Sequence, residues 1–79
     1  MEREEIFKTL TEICEDVFEV TDLELTDDTT ADDIEEWDSL THLSLMNEIE
    51  LEYGFKFSLA EMKSLKNVGE LVDTIQKHL

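Results

Sequence analysis

The chain contains no proline and only two glycines, Gly54 and Gly69. Average composition would include about 5% proline. Without those breakers, little interrupts an α-helix except a change of side-chain pattern or a capping residue. Helix is therefore the default for all 79 residues. A chain of this length makes one domain with a thin core, spanning residues 1–79. Hydrophobic side chains are 41% of it, which suffices for folding and argues against disorder.

Apolar spacing then places the helices. Ile6, Leu10, Ile13, Cys14, Val17 and Phe18 fall on one helical face and predict a helix from Glu2 to Glu19. Glu2, Glu4 and Glu5 sit at the positive end of its dipole. Val20 to Asp38 is rich in Thr and Asp, which favour turns and caps, so it reads as one long loop. Loops of that length in small domains are usually functional. Leu23, Leu25 and Ile34 are expected to tack it to the core.

A second helix is expected over Ser39–Tyr53, capped by Asp38 or Ser39 and stopped by Gly54. Its inward stripe reads as Leu43, Met46 and Ile49, extended by Leu40 and Tyr53. Phe55 and Phe57 form an extended link with both rings in the core. Ser58 and Glu61 have capping-box spacing, which predicts a short helix over Leu59–Ser64. Asn67 and Glu70 cap a last helix from Val68 to about His78, with Val68, Leu71, Val72, Ile75 and Leu79 inward. The fold class is all-α: a small antiparallel four-helix bundle of three longer helices and a short one.

Charge narrows the function. Asp plus Glu number 22 against 6 Lys plus Arg, a formal net charge of −16. Such a surface repels nucleic-acid phosphates and anionic membranes, and no apolar run approaches the roughly 20 residues that span a bilayer. The start, Met1-Glu2-Arg3-Glu4-Glu5, lacks the order of a signal peptide. One cysteine makes no internal disulfide, so a reducing cytoplasm is expected. The partners implied are basic proteins.

Little catalytic equipment is visible. The two glycines are too far apart for a phosphate-cradling loop. Cys14 reads as a core thiol, and His42 and His78 as solvated surface residues with no companions at metal-ligand spacing. The acidic loop supplies oxygens, but lacks the glycine and bidentate glutamate an EF-hand needs at their fixed places. Ser39 remains, at the junction of loop and second helix. It reads as an N-cap, or as a hydroxyl whose phosphate ester the free N–H groups and helix dipole would welcome.

The segment Glu36-Trp37-Asp38-Ser39-Leu40-Thr41-His42-Leu43 resembles the attachment site of acyl carrier proteins, which centres on an Asp-Ser-Leu triplet. The similarity continues through Leu43–Phe55 and Val68–Ile75. It implies a non-enzymatic carrier with covalent phosphopantetheine on Ser39, placed there by a phosphopantetheinyl transferase. The arm's thiol would hold an acyl group as a thioester for acyl-loading and acyl-processing enzymes with basic docking patches. Asp38 matches the aspartate beside the attachment serine, and Leu40 an apolar partner contact. Glu48 and Glu52 match the acidic recognition face, extended by Glu35, Glu36 and Asp38. Trp37 either braces the loop or touches the arm or a partner. Trp37, neutral Thr41 and Ser44, and Leu51 depart from fatty-acid carriers, and Trp37-Asp38-Ser39-Leu40 with His42 three positions after the serine resembles dedicated, polyketide-type ones. The resemblance implies a monomeric, cytoplasmic carrier. The contrasting reading is an unmodified acidic helical adaptor for a basic protein, with Ser39 only a cap.

Overall fold

The computed structural model describes residues 2–79. Four α-helices follow in order: α1 (Arg3–Phe18), α2 (Ser39–Tyr53), α3 (Leu59–Ser64) and α4 (Val68–His78). The loop between α1 and α2 also holds a short 3-10 turn, Ala31–Asp33, which the side-chain pattern did not announce. Its ends are closed by Thr30 and Asp33, whose carboxylate accepts from the Thr30 backbone N–H at 2.9 Å.

Each helix ends where local chemistry says it should. Glu2 caps α1 with Glu5 at the reciprocal position, and Glu19 closes it in the left-handed region at φ 57°. Gly54 closes α2 at φ 72°, a conformation natural to glycine, and its N–H donates to Glu50 O at 2.9 Å. Ser58 and Glu61 exchange bonds around the start of α3. Asn67 accepts from Glu70 N–H at the start of α4.

Helix α1 packs against both α2 and α4. The centre is built from Ile6, Leu10, Cys14 and Phe18 of α1, Leu45, Met46 and Ile49 of α2, and Val68, Leu71, Val72 and Ile75 of α4. Ile34 and Phe57 complete it from the connections. Ile13, Val17, Leu23, Leu25, Tyr53 and Phe55 are half-buried around it. Burial pushes the Cys14 thiol up to about 12, with Glu15 adding to the effect, so it stays a neutral core thiol.

The inward stripe of α2 differs from the reading by spacing. Leu45 is fully buried, whereas Leu40 and Leu43 are 75% and 59% exposed. Leucines surround this helix, so periodicity alone cannot choose its inner face. The register of Leu45 with Ile49, one turn apart, decides it. Leu79 likewise points outward. His78 is not a freely solvated ring: it stacks on Phe55 with centroids 4.3 Å apart and meets the Glu61 carboxylate at 2.9 Å. This contact ties the end of α4 to α3.

The long loop is fastened at several points. Glu15 accepts from Leu23 N–H at 3.0 Å. Buried Thr29 accepts from Thr26 N–H through its hydroxyl. The first turn of α4 donates to the loop, Val68 N–H to Thr29 O at 2.8 Å and Gly69 N–H to Asp27 O at 3.0 Å. These bonds use helix N-terminal N–H groups that have no partner within the helix. Arg3 pairs with both Asp27 and Asp73, joining α1, the loop and α4.

A net charge of −16 on so small a body is self-repulsive. The melting temperature is expected to rise with sodium chloride, and with magnesium at lower concentration. A flat melting series would show that the charges are too well dispersed to matter.

Candidate functional site

The candidate site lies where the loop runs into α2. Asp38 is the N-cap. One of its carboxylate oxygens accepts from Leu40 N–H at 3.0 Å and Thr41 N–H at 2.9 Å. The Thr41 bond does most to hold the Asp38 carboxyl below its usual value, against the opposing effect of burial and with a lesser contribution from the Leu40 bond. Thr41 completes the box. Its hydroxyl accepts from Asp38 N–H at 2.8 Å and donates back to Glu36 O at 2.8 Å. A carboxylate at position 41 could make the first of these bonds but not the second, so threonine fastens the loop in a way an acidic residue would not.

Ser39 is therefore the first helical residue and not the cap. Its side chain is exposed. The expectation that free N–H groups at this end would receive a phosphate needs correction, because Asp38 already occupies those of Leu40 and Thr41. The dipole of α2 still favours an anion there. A phosphate group on Ser39 fits by projecting into solvent, not by sinking into a nest of amides.

Trp37 and His42 form the floor beside it. The Trp37 ring rests on Phe18 with centroids 5.6 Å apart. Its Nε1–H donates to His42 Nδ1 at 3.0 Å. His42 is thus half-buried, not the solvated surface residue its position on the helix suggested. Together with Ala31, Asp38, Ser39 and Leu43 this pair lines an open cleft of about 480 Å³. Trp37 does brace the loop, as one of its two readings held.

Burial holds the His42 pKa below its ordinary value of 6.5. The bond from Trp37 also requires Nδ1 to be without a proton. Asp38 at the cap and Lys66 across the adjoining cavity are the charged groups nearest in the lining. A depressed histidine pKa gives stability that is complete above the unfolded value and is lost as pH falls through the folded one. The His42 ring resonances are expected to titrate with a midpoint below 6.5. The melting-temperature difference between wild type and His42→Asn should shrink from pH 7.5 to pH 5.5. A midpoint above 6.5 would contradict this.

The structure brings Trp37, Asp38, Ser39 and exposed Leu40 together, but sets Glu48 and Glu52 apart. At 1.5 Å per residue, Glu48 lies roughly 14 Å along the helix from Ser39. Both glutamates face a groove between α1 and α2 that Asp16 and Ser44 also line. Glu36 is exposed near Ser39 and contributes its backbone carbonyl to Thr41. The sequence reading included Thr41, His42 and Leu43 in the resembling segment but gave them no place among the site residues, and it missed Ala31. Thr41 left a structural signal, a hydroxyl three residues after an N-cap aspartate. Among the described residues, no group of three or more His, Cys, Asp or Glu side chains converges to hold a metal ion.

A small acidic helical domain that presents one serine on a helix start, above an apolar cleft, has the form of a carrier. The family profile described as "Phosphopantetheine attachment site" matches residues 8–75, and the chain belongs to that family. It is a carrier and not an enzyme, phosphopantetheine is its prosthetic group, and its function is exercised with a phosphopantetheinyl transferase and acyl-processing enzymes. The "Acyl carrier protein" of Coprothermobacter proteolyticus is 34% identical over 79 residues, covering 100% of this chain and 96% of that protein. A solution structure of holo acyl carrier protein from Geobacter metallireducens is 44% identical, with a TM-score of 0.85 over 90% of this chain and 82% of that one. A Mycobacterium tuberculosis structure at 20% identity shares the fold, with a TM-score of 0.83 over 94% of this chain and 99% of that one.

Proposed function

We propose that Ser39 is the attachment point and that the chain carries an acyl group there as a thioester. The observation that carries this reading is the Ser39 hydroxyl, exposed beside the capping Asp38 at the first residue of α2, inside the matched segment. The Ser39 oxygen would attack the phosphorus of coenzyme A that bears the pantetheine. The pyrophosphate bond breaks, adenosine 3′,5′-bisphosphate leaves, and the serine proton passes to the transferase. The arm supplies a terminal thiol. The chain's own residues position, expose and steer.

Asp38 lies beside the bond to be formed, where it would meet the transferase and its metal. Leu40, Trp37 and Glu36 surround Ser39 and would touch partners closest to the chemistry. Glu48 and Glu52, on the groove toward α1, would meet the cationic rim of the same partners from further along the helix. The net charge of −16 supports basic docking patches and a monomeric carrier, since two copies repel. With one buried cysteine and no helix among the described residues able to cross a membrane, a single-domain carrier working in the cytoplasm fits best. The neutral outer positions of α2, Ser44 and the 72% exposed Leu51, support a carrier dedicated to few partners, of polyketide-like type.

The test is direct. Incubate the protein with coenzyme A, magnesium and a broad-specificity transferase, and measure intact mass. Wild type gains one phosphopantetheine, and peptide mapping places it on Ser39. Folded protein that gains nothing with several transferases, or gains it elsewhere, overturns the assignment. In the adaptor reading Ser39 would be only a cap, a task that Asp38 performs on α2.

A further inference from the structure

Two hollows meet at the Trp37–His42 pair. Outside lies the open cleft of about 480 Å³ beside Ser39. Behind it lies a smaller, partly open hollow of about 70 Å³, lined on its far side by Met46, Leu65 and Leu71, with Lys66 and Asn67 at its polar edge. Ala31, Trp37 and His42 line both, so these three side chains form the wall between them. The wall is bonded as well as packed: Trp37 Nε1–H reaches His42 Nδ1 at 3.0 Å with the ring planes 19° from parallel. Trp37 is backed in turn by buried Phe18.

Size decides what such a wall does. The inner cavity is less than half the roughly 150 Å³ that admits a benzene ring in an engineered apolar cavity. A straight chain of more than a few carbons enters only if the wall moves. Moving it breaks the Trp37–His42 bond and strips the indole from Phe18. The outer cleft has room at once, with Leu43 and the face of Trp37 as apolar contacts and Asp38 at its polar edge.

Resting on the assignment of Ser39 above, we propose that the Trp37–His42 pair is a specificity-determining partition. It keeps the carried group in the surface cleft and excludes extended apolar chains from the interior. The chain then suits short or polar acyl groups, which stay open to solvent and to partner enzymes between transfers. The pair positions the cargo and takes no part in bond making.

The chain's single tryptophan makes the partition measurable. In the unloaded protein, His42→Ala is expected to increase acrylamide quenching of Trp37 fluorescence, whereas His42→Asn, which keeps an acceptor near Nδ1, stays near wild type. Acetyl and octanoyl forms are then made from the acyl-coenzyme A thioesters with a broad transferase and cleaved with hydroxylamine. In wild type the two are cleaved at similar rates. In His42→Ala the octanoyl form slows about fivefold relative to acetyl, the scale of one lost hydrogen bond, and His42→Asn restores parity. Protection of octanoyl in wild type, or no chain-length effect in His42→Ala, overturns the partition. If circular dichroism shows His42→Ala unfolded, Trp37→Phe, which removes the donor and shrinks the wall while keeping an aromatic ring, decides by the same cleavage ratio. Failure of wild type to load at Ser39 by intact mass would instead overturn the attachment assignment.

Discussion

Ser39→Ala is expected to abolish phosphopantetheine attachment while leaving the melting temperature where it was. The side chain is exposed and is not the helix cap, so its loss should cost less than about 0.5 kcal/mol. Its neighbour behaves oppositely. Asp38→Ala removes the acceptor for two backbone N–H groups and should cost about 0.5–2 kcal/mol. In a domain of this size that lowers the melting temperature by roughly 4–8 °C per kcal/mol. Asp38→Asn keeps an oxygen for the cap and removes the charge. It should hold its stability yet load more slowly, if the carboxylate serves the transferase as well as the helix. A Ser39→Ala variant that melts well below wild type would mean the hydroxyl has a structural task that the geometry does not show. One that still gains phosphopantetheine would place the attachment elsewhere.

Gly69→Ala is expected to damage the fold more than any surface change. A Cβ at position 69 would stand 2.7 Å from Asp27 Oδ1 and 2.9 Å from the Asp27 backbone oxygen. The side chain could swing aside, but the backbone oxygen cannot, because the Gly69 N–H donates to it. Relieving the clash pushes the loop from α4. It strains the Val68–Thr29 bond beside it and disturbs Arg3, which grips the same aspartate. Overpacking of this kind costs about 1–3 kcal/mol, against a total of about 4–12 kcal/mol for a chain this long. Urea titration should show the midpoint falling with little change in slope. An unchanged midpoint would mean that the loop gives way freely.

The helices were legible because their ends carry side-chain chemistry. Gly54, Ser58 with Glu61, and Asn67 with Glu70 each announced a boundary that the backbone then obeyed. The face of α2 was less legible, since leucines on every side leave spacing with no contrast and only packing against α1 selects Leu45 over Leu43. The site was readable at Ser39, Asp38 and Leu40 through their resemblance to a family. The Trp37–His42 bond was not, because it joins a loop residue to a helix residue and obeys no helical spacing. The 3-10 turn escaped for a related reason. Three residues are too few for periodicity, and their hydrogen bonds are those of an acidic turn.

The carbonyls of Asp27 and Thr29 are held by the first turn of α4, far away in sequence. This has a consequence for the order of assembly. Helices α1 and α2 can form early from local contacts, but the loop between them lacks these anchors until α4 has been made and has docked. Closing so long a stretch of chain is entropically slow compared with winding a helix. The Asp27–Thr29 stretch therefore settles late, whereas the Asp38 cap and the Trp37–His42 bond beside Ser39 join residues close in sequence and can form before α4 docks. Slow amide exchange at Val68 and Gly69 would mark the moment at which α4 takes hold of the loop.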